Sequence, residues 1–364
     1  MRKAARILSL TLTAALLLAG CNASPKPVIS GTSGQGAGQT VKLEKYEAQY
    51  FDYFDTVSIF TAYAPDQETF DRYKEIFSQE MLEYHELFDI YKDYEGITNI
   101  KTINDQAGIS PVKVDQRILD LLKEAQEMEE VTGGAMNVAM GSVLSIWHTY
   151  RTEGMEDPEH AKLPETASLQ EAAKHMDITQ MELDEENKTV YLADPEMSLD
   201  VGSIAKGFAT EQVARDLEEA GLEHAMLNIG GNIRTIGAKP DGSSWKLGIQ
   251  NPDTSSSTQY LHVVELQGGA LVTSGVYQRY YTVNGVNYHH IIQPERLAPW
   301  NRYASVTILC EDSGLADCLS TAVFNMEPDQ GKELIESMPG VEALWILPDQ
   351  SELYSSGFQA RMSG

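Results

Sequence analysis

The sequence predicts an α+β fold in which mostly antiparallel sheets pack against helices in one large unit. Stretches with apolar residues at three- and four-residue spacing indicate amphipathic helices, and they are interleaved with short strand patterns joined by tight turns. The clearest turn is Asn284-Gly285, because Asn-Gly is the strongest short signal for a hairpin of two antiparallel strands. This order argues against a doubly wound nucleotide-binding fold, in which parallel strands alternate regularly with helices.

The first 20 residues have the pattern of a secretory signal peptide. Arg2 and Lys3 precede an apolar run that is too short to span a bilayer. The run ends in Leu18-Ala19-Gly20-Cys21, which resembles the bacterial lipobox. This resemblance implies cleavage before Cys21 and a lipid on its sulfur; an ordinary signal peptide with an incidental cysteine is the alternative. We therefore expect a lipid-anchored protein at the cell membrane, facing outside the cytoplasm.

Residues 21–41 are expected to form a flexible tether. After Cys21 they are rich in Ser, Gly, Pro and Gln and poor in large apolar residues, so they cannot build a core. Residues 42–364 are numerous enough for one large domain. The formal net charge of −27 makes the surface repel nucleic acid, and we expect no nucleic-acid partner. An anionic ligand would need local dipoles or a metal to overcome that field.

The N-terminal half of this domain predicts one strand and several helices. The first helix carries a long apolar stripe, and the second has an aspartate at its start and a glycine pair at its end. In chain order the predicted elements are a strand at Phe54–Tyr63, a helix opened by Pro65-Asp66, a loop at Asn104–Gly108, a helix from Asp115 to Gly133-Gly134, a helix at Ser142–His148, a surface loop at 151–167 and a short helix at Ser168–His175.

The C-terminal half is mostly strand. The predicted elements are a hairpin at Met181–Leu192, a corner from strand to helix at Ser198–Thr210 with the helix ending at Gly221, two strands around a glycine break at Ala225–Arg234, strands at Trp245–Gln250, Tyr260–Gln267 and Ala270–Ser274, the Asn284-Gly285 hairpin, a strand at Ser305–Cys310, a helix at Leu315–Phe324, and strands at Val341–Leu347 and Glu352–Tyr354.

The corner at Ser198–Thr210 is a candidate phosphate site. Alternating residues reach Asp200 and Gly202, after which the apolar spacing becomes that of a helix. The first N–H groups of a helix are unpaired and lie at the positive end of its dipole, so they attract phosphate. Lys206 would add a positive charge, although a solvated helix lysine has the same sequence signature.

A candidate metal site lies on the helix predicted near residue 317. Asp317 and Thr321 are four residues apart and therefore share one face. Carboxylate and hydroxyl oxygens with a backbone carbonyl suit a hard cation such as Mg²⁺, which keeps waters that substrate phosphates replace. The structural alternative is that Asp317 caps its own helix and Thr321 is an ordinary buried threonine.

A candidate catalytic histidine closes the Asn284-Gly285 hairpin. Side chains alternate along a strand, so only one of His289 and His290 is expected to face inward. An inward histidine near a metal-bound phosphate would act as a general base or orient the phosphate. A structural histidine whose hydrogen bonds are satisfied in the core is the alternative.

Six blocks of the sequence together carry a family resemblance. They are Gly134–Val138, Leu199–Gly207, Leu227–Ile233, Thr273–Gly275, His290–Ile292 and Ala316–Ala322. In this order the blocks resemble the FAD:protein FMN transferase (ApbE-type flavin transferase) family, and the likeness covers nearly all of the chain after the tether. At two positions in the segment that carries His290, Val276 and Gln293 stand where the family usually has Asp.

The resemblance implies a catalytic unit of the flavin-transferase type at residues 42–364, with an FAD pocket and Mg²⁺ at the pyrophosphate. The implied metal ligands are the main-chain carbonyl of Ser203 and the side chains of Asp317 and Thr321. The implied FAD contacts are near Phe54, Tyr91, Ala135, Met136, Asn137, Asp200, Lys206 and His290.

The activity implied by the resemblance is a transfer reaction. The enzyme would move FMN from FAD to a Thr or Ser hydroxyl of an exported or membrane protein and release AMP, with His290 assisting the incoming hydroxyl. A hydrolase that splits FAD into FMN and AMP in the same cleft is one alternative. A lipoprotein that only binds flavin is another.

Overall fold

The structure is a computed structural model that describes residues 42–363. The predicted signal peptide, the lipidated Cys21 and the tether lie outside the described residues, and they stay predictions. Within residues 42–363, no helix combines the length and the apolar character that are needed to cross a membrane.

The described residues contain eight α-helices. They are α1 (Gln67–Phe88), α2 (Ile100–Asp105), α3 (Gln116–Thr132), α4 (Gly141–Glu156), α5 (Thr166–Ala172), α6 (Ala205–Glu219), α7 (Ser313–Phe324) and α8 (Pro328–Ser337). Short 3₁₀ turns occur at Pro158–His160, Ala173–His175, Ile178–Gln180 and Phe358–Arg361. The helix caps follow the sequence signals: the side chain of Asp66 accepts the Thr69 N–H at the start of α1, and Gly133 ends α3 in the left-handed conformation.

The strands of the described residues form one large sheet and four small ones. They are β1 (Glu44–Tyr53), β2 (Thr56–Ala64), β3 (Val112–Lys113), β4 (Met181–Asp184), β5 (Thr189–Leu192), β6 (Ala225–Ile229), β7 (Asn232–Ile236), β8 (Trp245–Gln250), β9 (Tyr260–Leu266), β10 (Gly269–Gly275), β11 (Tyr280–Val283), β12 (Val286–His289), β13 (Ile292–Gln293), β14 (Ala298–Pro299), β15 (Ser305–Cys310), β16 (Glu342–Ile346) and β17 (Glu352–Tyr354).

The large sheet has eight strands in the order β1-β2-β6-β7-β10-β15-β16-β17, and every neighbouring pair is antiparallel. The main core lies between this sheet and a helical layer that includes α1, α6 and α7. Fully buried side chains such as Phe60, Phe77 and Phe324 fill it. The predicted α+β class with mostly antiparallel sheets is therefore confirmed.

The predicted strand before the corner at Ser198–Thr210 is wrong. Residues 198–201 join no sheet; they are held by Asn104, whose side-chain oxygen accepts the Leu199 N–H (2.7 Å) and whose amide donates to the Leu199 carbonyl (2.9 Å). Single backbone contacts hold the segment as well: Ser198 forms an isolated parallel bridge with Met140, and the Asp200 N–H donates to the Val138 carbonyl. The helical half of the prediction is confirmed, because α6 begins at Ala205 and Gly221 follows its end with a φ of +93°.

Further differences concern element boundaries and elements that were not predicted. Asn104 and Asp105, predicted as loop, end α2, and α4 extends to Glu156 into the region predicted as surface loop. No sequence pattern predicted β1, α8, the start of α2 or the two-residue strands β3, β13 and β14. In β1 the residues are mostly exposed or half-buried, so the apolar alternation is weak, and α8 is a short helix with few buried residues. In both, packing onto the large core decides the structure where the local pattern is faint.

Candidate active site

A cleft of about 740 Å³ lies beside α6 and α7. Its lining includes all eleven residues singled out as metal or flavin site, and these come from segments far apart in the chain: Phe54, Tyr91, Ala135, Met136, Asn137, Asp200, Ser203, Lys206, His290, Asp317 and Thr321. The volume falls in the range of cofactor pockets. The structure therefore brings the predicted site residues together, while their individual roles remain predictions.

The cleft differs in charge from the rest of the chain. The whole sequence has twice as many acidic residues as basic ones, 54 against 27. The cleft is lined by five basic residues, Lys92, Arg151, Lys206, Lys246 and Arg279, and by four acidic ones, Asp55, Asp89, Asp200 and Asp317. The cleft is thus a local exception to the acidic surface, which removes the electrostatic objection to an anionic ligand.

Asp317 joins α7 to α6. The N-cap of α7 is Asp312, whose side chain accepts the Leu315 N–H, so Asp317 does not cap its own helix. Instead Asp317 Oδ2 accepts the N–H of Gly207 at 2.9 Å, which is one of the first, otherwise unpaired donors of α6. The helices meet closely here, because a Cβ on Gly207 would clash with the Ser313 carbonyl and with the Asp317 side chain.

Asp317 is almost fully buried, with 4% of its surface exposed. Burial raises the pKa of its carboxyl above the ordinary value, while Lys206, the Gly207 N–H and Asn232 oppose that rise. Lys206 Nζ lies 3.9 Å from Asp317 Oδ2. The negative charge of the Asp317 carboxylate is therefore compensated mainly by one amide donor and a distant cation. A further positive charge beside it would stabilise the ionised form.

The segment that follows α3, residues 135–141, forms another side of the cleft, in addition to the side formed by α6 and α7. The N–H of Asp200 donates to the carbonyl of Val138 at 2.8 Å, and the N–H of Gly141 donates to the carbonyl of Ser198. Asn137 accepts the Ala139 N–H at 2.7 Å and donates to the Met176 carbonyl. These bonds hold the Ala135-Met136-Asn137 segment beside residues 198–200, and all three of its residues line the cleft.

Asp200 lies at the corner that precedes α6. Its Oδ1 accepts the Gly202 N–H at 2.9 Å, which shapes the turn that presents Ser203. Burial raises the pKa of the Asp200 carboxyl, and the Gly202 N–H, His148, Arg151 and Lys206 act in the opposite direction. Asp200 is therefore a carboxylate surrounded by donors and cations rather than an isolated charge.

Two of the aromatic residues that line the cleft, Phe54 and Tyr91, are predicted flavin contacts. Phe54 occupies the two-residue turn between β1 and β2, where it and Asp55 have φ values of 50° and 51°, the left-handed pair of a type I′ turn. The Phe54 N–H donates to His85 Nδ1, and the two rings meet edge to face with centroids 5.6 Å apart. Tyr91 is half exposed, and its ring lies 5.3 Å from that of His148.

The two consecutive histidines take different surroundings, as the alternation predicts. His289 is 3% exposed and its ring meets Phe324 edge to face, whereas His290 lines the cleft. His290 Nδ1 lies 3.3 Å from the carbonyl of Arg279. A carbonyl only accepts hydrogen bonds, so Nδ1 carries the proton and Nε2 of the neutral ring keeps its lone pair.

The ring of His290 stays neutral at physiological pH. Burial lowers the pKa of His290 to about 3, and the positive charges of Arg279, Arg151 and Lys206 contribute in the same direction, as does neighbouring His289. A neutral ring with Nδ1 protonated can accept a proton at Nε2. The predicted role of a base is therefore compatible with this tautomer.

Several residues of the cleft were not singled out from the sequence. They include His148, Arg151, Asn232, Tyr277 and Arg279. Arg151 and Arg279 lie in segments that resemble ordinary solvated surface in the sequence, so no local signal distinguishes them. Asn232 and Tyr277 could have been found, since they lie inside or next to the blocks Leu227–Ile233 and Thr273–Gly275.

The two positions that differ from the family pattern lie outside the cleft lining. Val276 packs against the main core. Gln293 is 8% exposed, and its Oε1 accepts the N–H of Arg296 at 2.6 Å in the turn after β13. Both side chains therefore have structural contacts of their own.

Comparison with known proteins gives one consistent result. The model of the ApbE family matches residues 53–345. The FAD:protein FMN transferase of Treponema pallidum is 34% identical over 277 residues, which cover 72% of this chain and 74% of that protein. The one of Haemophilus influenzae is 31% identical over 246 residues, which cover 67% and 70%.

Solved structures agree with the sequence relatives. The crystal structure of the ApbE protein from Thermotoga maritima superposes with a TM-score of 0.77 at 28% identity and covers 88% of this chain and 100% of that one. The flavin transferase ApbE from Vibrio cholerae superposes with a TM-score of 0.73 at 26% identity and the same coverage.

Proposed function

Because this chain belongs to the ApbE family, we propose that it is an FAD:protein FMN transferase, an enzyme that moves FMN from FAD to a hydroxyl of an acceptor protein. The proposal rests on one observation: eleven predicted site residues, from segments that are far apart in the sequence, line a single cleft whose volume suits a dinucleotide. The near balance of charges in that cleft supports it, because FAD is an anion and the remaining surface is strongly acidic.

In the proposed reaction a Thr or Ser hydroxyl attacks the phosphorus of the FMN half. The new bond joins the hydroxyl oxygen to that phosphorus, the bond to the bridging oxygen breaks, and AMP leaves. The hydroxyl proton goes to Nε2 of His290, since Nδ1 is already protonated toward the Arg279 carbonyl. Phosphoryl transfer depends mainly on position and charge compensation, so the protein's chief contribution is to hold both partners in line.

We further propose that Mg²⁺ takes part, held by the Ser203 carbonyl and the side chains of Asp317 and Thr321. In the described residues no group of three or more His, Cys, Asp and Glu side chains could hold a metal. One carboxylate with two neutral oxygens nevertheless fits an ion that keeps waters and shares phosphate oxygens. The buried Asp317 carboxylate, weakly compensated, supports this assignment. When bound, the ion supplies positive charge to the diphosphate.

The acceptor is proposed to be an exported or membrane protein. This rests on the signal-peptide pattern and on the lipobox-like sequence at Cys21, which would place the enzyme on the outer face of the membrane. Metabolic labelling with a fatty acid tests this part, since labelling lost in Cys21→Ser supports the anchor and labelling that persists in this variant contradicts it.

One incubation tests the function. The purified protein is mixed with FAD, Mg²⁺ and extract proteins of the exported fraction, and flavin is followed by in-gel fluorescence and chromatography. We expect covalent flavin on an acceptor together with an equal amount of AMP. Free FMN and AMP without covalent flavin would indicate an FAD pyrophosphatase, and binding without turnover would indicate a flavin-binding lipoprotein.

A further inference from the structure

Two arginines of the cleft have no acidic partner. Arg151 on α4 and Arg279, just before β11, both line the cleft, and within residues 42–363 neither guanidinium has a carboxylate within 4.0 Å. Among the other arginines of residues 42–363, Arg215 pairs with Asp312 at 2.7 Å and Arg234 with Glu211 at 2.9 Å, whereas those without an ion pair, such as Arg296, lie outside the cleft. In a chain with twice as many acidic as basic residues, unpaired guanidinium groups in a cleft are notable.

The surroundings of Arg151 place its guanidinium at the inner wall. Its Nη2 donates to His148 Nδ1 at 3.0 Å, and His148 in turn lies against Tyr91. Burial lowers the pKa of Arg151, and the positive charge of Arg279 contributes to this decrease. The charges of Arg151 and Arg279 therefore repel each other, the negative charge of Asp200 offsets part of this cost for Arg151, and a bound anion would reduce it further.

Arg279 is attached to the proposed base. Its carbonyl contacts both the backbone N–H of His290, at 3.1 Å, and the ring Nδ1, at 3.3 Å. The side chain of Arg279 also lines the cleft, and its positive charge helps to lower the pKa of His290, the histidine that would receive the hydroxyl proton. The planar guanidinium has several N–H donors in a fork that matches two oxygens of a phosphate, which a lysine cannot reproduce.

We propose that Arg151 and Arg279 form a diphosphate subsite that binds the oxygens of FAD next to His290, in addition to the Lys206 and Asp317 side of the cleft. The proposal rests on the proposed FAD-dependent function, and it assigns to these two residues the discrimination between FAD and flavins without a diphosphate. The ligand chemistry is an oxyanion. An acceptor carboxylate would share that chemistry, and the experiment separates the two.

The test compares flavins with and without the diphosphate. Affinities of the purified protein for FAD and for riboflavin are measured by flavin fluorescence quenching, for Arg151→Gln, Arg279→Gln and the double variant. We expect each single change to weaken FAD binding by about tenfold, the usual effect of losing one charge-assisted contact, with the riboflavin affinity unchanged. Arg279→Lys should recover only part of the loss, because it keeps the charge and loses the fork.

Arg296→Gln is the matched control. Arg296 lies in the same C-terminal half, is stacked 4.6 Å from the Trp300 ring and lines no part of the cleft, so this variant makes the same change in net charge. Unchanged FAD affinity in the control and lost affinity in the cleft variants supports the proposal. An equal loss of FAD affinity in Arg151→Gln, Arg279→Gln and Arg296→Gln would indicate a general effect of net charge and would overturn the proposal.

Three further outcomes would also overturn the proposal. FAD affinity of the double variant within about twofold of the original excludes a diphosphate subsite. Equal loss of FAD and riboflavin affinity assigns the arginines to the flavin ring or to folding. Retained FAD affinity with a raised KM for the acceptor assigns them to an acceptor carboxylate. If the unmodified protein binds no FAD at all, the proposed function itself fails, which distinguishes the two failures.

Discussion

Asp317 serves two purposes at the scale of one residue. It is the carboxylate of the proposed metal site, and it accepts the Gly207 N–H near the start of α6. Asparagine keeps an oxygen for that N–H but lacks the charge, whereas alanine loses both. The two substitutions therefore separate the role in binding from the role in capping.

We predict that Asp317→Asn abolishes flavin transfer and hardly changes the melting temperature. Asp317→Ala should abolish transfer and also lower the free energy of unfolding by about 1 kcal/mol, the usual cost of a lost helix cap. Transfer rates over a range of Mg²⁺ concentrations, together with thermal unfolding, are the measurements. Full transfer by the asparagine variant at limiting Mg²⁺ would contradict the metal assignment.

His290 is expected to act in transfer and not in holding FAD. In His290→Asn the side chain stays polar but cannot take a proton at neutral pH, so transfer should fall by roughly 10²–10⁴-fold while FAD affinity survives. FAD affinity and the rate of covalent flavin formation are measured on one preparation. If both fall together, His290 is a binding residue. His289→Asn, which alters a buried ring packed on Phe324, should instead lower stability.

At the scale of elements, the contact between α6 and α7 positions the site. Arg215 of α6 pairs with Asp312, the N-cap of α7, at 2.7 Å. Two further hydrogen bonds join the helices: Gly207 N–H to Asp317, and the Ser313 N–H to the buried carboxylate of Glu211 at 2.9 Å. Both bonds lie where the helices are too close for a side chain on residue 207. The distance between Lys206 and the carboxylate of Asp317 therefore depends on this contact.

Gly207→Ala is predicted to force the two helices apart. Overpacking of a tight contact typically costs about 1–3 kcal/mol, and here it also displaces Asp317, so both stability and FAD transfer should fall. Gly331→Ala on α8 is the control, because its added Cβ would lie 3.3 Å from the nearest atom, Val323 Cβ, and needs only a small shift. Equal thermal stability of the two variants would contradict close packing at Gly207.

Glu124 on α3 makes stability depend on pH. Burial raises the pKa of its carboxyl from 4.5 to about 7, and the negative charge of Asp312, the N-cap of α7, adds to the rise. The folded state thus binds this proton more tightly than the unfolded chain. The resulting stabilisation is fully present below about pH 4.5 and is lost as the pH rises through about 7.

We therefore predict that Glu124→Gln raises the melting temperature at pH 8 and has little effect at pH 4.5. The uncharged amide avoids the cost of a buried carboxylate, which the original protein carries only at the higher pH. Thermal unfolding at both pH values is the measurement, with the exposed Glu127→Gln on the same helix as control. A larger gain at pH 4.5 than at pH 8 would reverse the sign and refute the account.

At the scale of the whole molecule, the edge strand β1 attaches the first described residues to the large sheet. The first described strand, β1, begins at Glu44 and pairs along its length with β2, and its Tyr46 packs on Phe70 of α1 with centroids 5.1 Å apart. Residues before β1 contribute none of the predicted metal or flavin contacts. The catalytic unit is thus expected to need β1 but no earlier residue.

A shortened chain that begins at Lys42 is predicted to be soluble and to transfer flavin to a soluble acceptor at the original rate. A chain that begins at Thr56 lacks β1 and Phe54, exposes the edge of β2, and should be unstable or inactive. Size-exclusion chromatography and the transfer assay compare the two. An inactive but folded chain from Lys42 would show that the N-terminal residues do more than tether the enzyme.

Much of the fold follows from local signals in the sequence. Caps such as Asp66 and Asp115, the stop at Gly133, and the Asn284-Gly285 turn act over a few residues, so they predict the ends of α1 and α3 and the hairpin of β11 and β12 correctly. Residues 198–201 were predicted incorrectly as a strand, because they are held by distant partners, among them the side chain of Asn104, which is 95 residues away from Leu199, and Met140 in an isolated bridge.

The site likewise has features that local sequence patterns predicted and features that only the tertiary structure shows. The sequence by itself determined which blocks carry the chemistry, since Asp200, Lys206, His290, Asp317 and Thr321 stand in recognisable local patterns. Only the tertiary structure decided that Asp317 bonds to Gly207 rather than capping its own helix, that His290 rather than His289 lines the cleft, and that Arg151 and Arg279 share its wall. These are contacts between distant segments, and their geometry depends on packing of the whole core, which no local pattern encodes.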